Sequence, residues 1–124
     1  MVAVNSYTAT HMDEQIASVR LRDVIFSRKT ANYTLVLTDP GKVIEMNLAG
    51  ANNLTVPPNV DVAIPVGSVI CGAQYGAGLT TIVAGSGVTI NSLGGALNSA
   101  GQYSRFTLEK VGTNEWYLYG DIAV

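Results

Sequence analysis

The chain carries little charge. Asp, Glu, Lys and Arg make up 13 % of its 124 residues, about half the share usual in soluble domains. Between Asp61 and Arg105 there is none at all. That stretch offers no proton carrier, no counter-charge and no carboxylate for a metal. Histidine occurs once, at His11, and cysteine once, at Cys71. A single thiol excludes an internal disulfide. Cys71 sits in an apolar run, where a small buried hydrophobe is expected rather than a reactive thiol. A nucleophilic triad would have to pair His11 with a distant serine, and no flanking motif marks one.

Other absences narrow the function further. The neutral stretch is broken by Pro65 and by many glycines, so nothing approaches the ~20 apolar residues of a membrane span. The opening "MVAVNSYTATHMDEQ" lacks the basic start and apolar run of a secretory leader. The net charge is −2, with seven basic residues scattered along the chain. A phosphate-binding footprint needs clustered Lys and Arg, so nucleic acid is not an expected partner. The glycine-rich "GAQYGAG" is not a dinucleotide fingerprint, and no Gly-Lys-Ser/Thr follows it. No cofactor, no metal and no catalytic residue are expected. Among the acids, Asp39 reads as a turn residue, while Glu45, Glu109 and Glu115 fit outward strand positions. A hydrolytic pair among these is the least favoured reading. Glu109 and Glu115 are expected to be solvated or directed at Lys110.

What is present divides the chain in two. Residues 1–31 hold seven of the charged side chains and no glycine or proline; all 13 glycines and all 4 prolines follow. The sequence therefore predicts an N-terminal arm over 1–31 and a β domain over 32–124. Within the arm, Thr10 and Asp13 suit the start of a short helix through "MDEQIASV". "VRLRDVIF" then alternates as a strand does.

From Tyr33 onward, short β-branched and aromatic runs are separated by turn residues. "YTLVL", the turn "TDPG" and "KVIEMNL" read as a β-hairpin. "NLTV" precedes "PPN", which cannot lie inside a central strand. "VDVAI", "SVICGAQ", "LTTIV" and "VTIN" follow, then a loop at 93–101. "YSRFTLEK" and "EWYLYGDIAV" form a last hairpin around "VGTN". The predicted fold is all-β, an antiparallel sandwich or jelly-roll-like barrel of about eight to nine short strands. In the last run, alternation puts Trp116, Leu118 and Ile122 on one face, as core, and Tyr117 and Tyr119 on the other. Tyr103, Tyr117 and Tyr119 are candidate contacts for a partner or a glycan.

Six blocks together resemble a β domain found in structural proteins of tailed-bacteriophage virions. They are "DPGKVIEM" (39–46), "TVPPN" (55–59), "PVGS" (65–68), "QYGAGLTTI" (74–82), "GVTINS" (87–92) and "TLEKVGTNEWYLYGD" (107–121). The resemblance covers about residues 33–122 and leaves out the arm. It implies a structural role in the virion and brings no catalytic residue. Arm plus one domain, without fibre repeats or heptads, favours a capsid decoration protein. Its expected partners are itself, as a homotrimer, and the major capsid protein. An accessory role at a tail fibre, collar or baseplate tip, binding a host receptor or glycan, is the alternative.

Docking is expected to fall to the arm. Its apolar and basic residues Ile16, Val19, Arg20, Leu21, Arg22, Val24, Ile25, Phe26 and Arg28 suit strand addition or insertion into grooves. Several arms around one axis would make binding multivalent.

Overall fold

The computed structural model describes residues 23–124. The expected helix at 12–19 therefore lies outside the described residues, as do Ile16, Val19, Arg20, Leu21 and Arg22.

Among the described residues eleven strands run in order: β1 (Ile25–Lys29), β2 (Tyr33–Thr34), β3 (Lys42–Met46), β4 (Asn52–Val56), β5 (Val69–Gln74), β6 (Thr80–Ala84), β7 (Thr89–Ser92), β8 (Asn98–Ser99), β9 (Arg105–Gly112), β10 (Glu115–Gly120) and β11 (Ile122–Ala123). One sheet has the order β1-β3-β5-β9-β10-β7 and the other β11-β8-β6-β4-β2. The two pack face to face, so the sandwich expected from the sequence is the fold.

The strand pairing differs from that expectation. The chain crosses from one sheet to the other at nearly every step. Consequently β1, β3 and β5 pair parallel, as do β2, β4 and β6, and β7 lies parallel to β10. Antiparallel pairing is confined to β9 and its neighbours β5 and β10, and to β8 with β6 and β11. "YTLVL" and "KVIEMNL" thus form no hairpin: their strands, β2 and β3, lie in opposite sheets. "TDPG" is instead a corner between layers. "VDVAI" is likewise turn and coil. Only the last hairpin, β9–β10, keeps its expected pairing.

The corners explain why crossing wins. Asp39 is buried, and one carboxylate oxygen accepts hydrogen bonds from the Val36 N–H and the Tyr33 hydroxyl, both at 2.8 Å. Lys42 Nζ lies 3.8 Å from its other oxygen. These bonds turn the chain out of β2 and into β3. A tight two-residue loop would instead have folded β3 back beside β2.

The coil of β3 and β4 repeats in β5 and β6 at one offset. Val43 pairs with Cys71 and Asn52 with Thr80, each 28 residues on. The loops after β3 and β5 are stacked as a result. Gly76 and Gly78 donate their N–H groups to the Met46 and Leu48 carbonyls at 3.0 and 2.9 Å. At both glycines an added Cβ would collide with the backbone of Leu48 or Gly50. At Gly76 and Gly78 the lack of side chains thus has a physical reason: two backbones pass too closely for them.

The core holds Ile44, Met46, Ile70, Phe106, Leu108, Trp116 and Leu118 from one sheet. Leu54, Val56 and Ile82 come from the other, and Leu35 and Ile64 from loops. Each fully buried aliphatic or aromatic side chain contributes roughly 1.5–3 kcal/mol. Trp116 and Leu118 are core as expected, and Tyr117 and Tyr119 face outward. Ile122, expected beside Trp116 on one strand, is half-buried and belongs to β11 in the other sheet.

A buried polar chain closes one end of the core. The Ser99 hydroxyl donates to Gln74 Oε1 and receives the Thr80 N–H at 3.1 Å. Thr80 Oγ1 donates to Asn52 Oδ1 at 2.7 Å. The Asn52 and Gln74 amides then donate to the carbonyls of the stacked loops. Neutral groups that satisfy one another cost far less to bury than ions would.

Candidate functional site

The outer face of the six-stranded sheet carries the richest side-chain chemistry. Strand register aligns Arg28, Glu45, Ala73 and Arg105 in one row across β1, β3, β5 and β9. Ala73 is the only small side chain in that row, so a hollow forms over it. Tyr75 and Tyr103 wall the hollow, their rings edge to face with centroids 6.1 Å apart. The groove has a volume of about 290 Å³ and is lined by Glu45, Ala73, Gln74, Tyr75, Tyr103 and Arg105.

Two of the charges on this face pair with each other. Arg28 Nη2 lies 3.2 Å from Glu45 Oε1. The same guanidinium sits 3.6 Å from the centroid of the Tyr75 ring. Arg28, expected to grip a partner, is thus engaged within its own chain. It pins β1 to β3 and holds the Tyr75 ring in place.

Tyr103 stands out by its backbone. It is 68 % exposed and its φ is +69°, the only positive value at a non-glycine position among the described residues. It occupies the third position of a turn that the Ser104 N–H closes onto the Gly101 carbonyl at 3.1 Å. Ser104 Oγ also accepts the Gly101 N–H at 2.8 Å, and the Tyr103 N–H bonds the Gln74 carbonyl. Turn positions with positive φ normally take glycine or asparagine. On the other side of Tyr103 opens a second, polar hollow of about 540 Å³. It is lined in part by Gly101, Gln102, Ser104 and Asp121.

The other expected tyrosines lie elsewhere. Tyr117 and Tyr119 border a shallow apolar depression of about 360 Å³ with Asn91 and Leu93. The Tyr119 hydroxyl donates to Glu109 at 2.9 Å, and that carboxylate raises its pKa. The structure therefore does not gather the three tyrosines into one site. Tyr75, which the sequence reading passed over, is the partner of Tyr103. Its position after Gln74 at the end of a strand gave no signal for that role.

The carboxylates are likewise dispersed among structural roles. Glu45 holds Arg28, Glu109 holds Tyr119, and Glu115 accepts from Asn91 Nδ2 at 2.8 Å. Lys110 takes neither Glu109 nor Glu115. It is buried, with Nζ 2.7 Å from Asn59 Oδ1 and 2.6 Å from the Ile64 carbonyl. Burial lowers its pKa. Cys71 is half-buried on the outer face, its Sγ 3.8 Å from Thr107 Oγ1, rather than part of the core. Among the described residues no three of His, Cys, Asp and Glu converge, and no helix is long and apolar enough to cross a membrane.

At the edge of the same sheet, Val24, Ile25 and Phe26 are exposed. Among the described residues, strand β1 pairs with β3 on one side only. Part of the expected arm, Ile25–Lys29, is accordingly an edge strand of the sandwich.

No family model, no curated protein and no solved structure matches the chain.

Proposed function

We propose that the protein is a structural component of a bacteriophage virion. In this reading it is a capsid decoration protein that self-associates, as a trimer, through its β domain. It docks on the major capsid lattice through its N-terminal region.

The observation that carries the docking reading is the β1 edge. Three large apolar side chains, Val24, Ile25 and Phe26, stand exposed there. Among the described residues, the outer backbone edge of β1 has no strand partner. Soluble proteins usually blunt such edges with charge, proline or a covering loop. Arg28 and Lys29 charge the far half of this edge, but the Val24–Phe26 half is left open and apolar, which suits strand addition by a partner chain. The motif blocks that resemble virion β domains add support of a different kind. "DPG" makes the layer-crossing corner, "PPN" anchors Lys110, and the glycines of "QYGAG" let the coils stack. They are devices of rigidity, as a lattice clamp requires.

The test is binding to undecorated capsids. A chain lacking residues 1–22 keeps β1 and should stay folded but bind at least tenfold more weakly. Phe26→Asp in the full chain should also reduce occupancy. Full decoration by both variants would remove the reading. Light scattering tests the trimer separately: a monomer at micromolar concentration would contradict constitutive self-association.

A further inference from the structure

The hollows on either side of Tyr103 share one exposed aromatic ring, and the groups around that ring suit a particular ligand. We propose that Tyr103 is the stacking platform of a binding site for neutral hexose oligosaccharides. The chain would run from the Glu45–Arg105 groove across the ring to the Asp121 hollow. This assignment rests on the local geometry and is independent of the docking edge at Phe26.

Three observations carry it. The first is ring presentation. A sugar is bound when an aromatic face covers its apolar C–H face while polar groups meet its hydroxyls. Tyr103 is the most exposed aromatic residue among the described residues. Tyr75, set at 78° to it, and the Arg28 guanidinium stacked on Tyr75 form a rigid wall. Fixed rings lose little freedom on binding.

The second is charge balance. Glu45 and Arg105 flank one hollow, and Asp121 lines the other. Arg28 already neutralises Glu45. The Arg105 N–H lies 3.4 Å from Asp121 Oδ2, which keeps that carboxylate beside the Arg105 backbone. Carboxylate and guanidinium groups of both signs, held close, match vicinal hydroxyls, which both donate and accept. The charged side chains around the two hollows, Arg28 and Arg105 against Glu45 and Asp121, carry no net charge, so the neutral class is favoured.

The third is the backbone at Tyr103. A bulky side chain at φ +69° holds the backbone in a strained conformation. Glycine would fit that turn without strain. The strained choice places a ring at the rim of both hollows, and strained positions of this kind gather at functional sites.

The same strain supplies the test. Tyr103→Gly removes the ring and relaxes the backbone, so the variant should melt at or above the wild-type temperature. Backbone amide resonances of the full chain would be followed by NMR against tetrasaccharides of glucose, galactose and mannose. The expected result is saturable shifts at residues 73–76 and 100–105 for at least one of them. Affinity should fall at least tenfold in Tyr103→Gly and be largely kept in Tyr103→Phe. Absence of shifts with all three sugars at 10 mM, shifts centred elsewhere, or unchanged affinity in Tyr103→Gly would each overturn the assignment. Capsid decoration by Tyr103→Gly should remain at the wild-type level, which separates failure of this site from failure of the docking reading.

Discussion

The ammonium of Lys110 lies 2.7 Å from Oδ1 of Asn59, and among the described residues no carboxylate shares in the contact. A buried cation is held here by two neutral acceptors, the second being the Ile64 carbonyl at 2.6 Å. Asn59 is itself fixed by Asn114, whose Oδ1 accepts the Asn59 N–H at 2.8 Å. One lysine thus ties the "PPN" loop to the β9–β10 hairpin.

Removing either partner should have unequal effects. Asn59→Ala leaves a buried ammonium with one acceptor and should destabilise the fold by about 1.5–3 kcal/mol. Lys110→Met strands only neutral acceptors, one of them half-buried, and should cost about 1–2 kcal/mol. The double variant should recover part of the Asn59→Ala loss. Urea denaturation of all three variants checks the order. An Asn59→Ala effect smaller than that of Lys110→Met would show that the lysine is not held as described.

Asp39 should prove a comparably sensitive corner. Asp39→Ala leaves the Val36 N–H and the Tyr33 hydroxyl without their acceptor, at an expected cost of about 1–3 kcal/mol. Tyr33→Phe removes one donor with the acceptor still occupied, and should cost less than half as much. Thermal melts of the two variants decide this.

Alkaline titration should show two opposed limbs. Burial and the Asp39 carboxylate raise the Tyr33 pKa well above its ordinary 10.0. The unfolded chain then loses this proton first, so the contribution of Tyr33 is complete below pH 10 and is lost as pH rises beyond it. Lys110 behaves oppositely. Its lowered folded pKa means that the unfolded chain holds its proton longer. Its contribution is therefore complete above 10.5 and is lost as pH falls through the lowered value. Stability measured against pH should have a shallower falling limb in Tyr33→Phe, the remainder belonging to Tyr119, and should lose its rising limb in Lys110→Met.

Two glycines 28 residues apart should respond differently to alanine. Nothing lies within 4 Å of a Cβ placed on Gly50, whereas one on Gly78 meets the Gly50 backbone itself. Gly50→Ala should be neutral within about 0.5 kcal/mol. Gly78→Ala should cost about 1–3 kcal/mol or more, because the stacked loops must part. Equal melting temperatures for the two variants would mean that the loops are not in contact.

Patterning along the chain made the β class, the core placement of Trp116 and Leu118, and the β9–β10 hairpin legible, because alternation and a short polar turn report on local geometry. The parallel coils were not legible. Whether "DPG" returns a strand beside its predecessor or sends it to the opposite sheet depends on the burial of Asp39 and its bonds to Tyr33 and Val36. Those contacts exist only once the layers are packed. The end of the arm was misplaced for a related reason. Val24, Ile25 and Phe26 look like an unattached apolar segment, and only the register of β1 against β3 reveals the strand. Tyr103 was read from its residue type, but its partner Tyr75 and its positive φ follow from how two distant loops meet.

The place of β9 in its sheet bears on how the molecule is made. This strand lies between β5 and β10, and β7 pairs with β10 alone. As the chain emerges from N- to C-terminus, β5 and β7 must wait with open sides until the hairpin that begins at Arg105 slips between them. Closure by that late insertion joins segments far apart in the chain, a step that slows folding. Until residue 120 has been synthesised, the nascent protein presents two uncapped edges to its neighbours. A cell producing many copies at once would have to keep those edges apart.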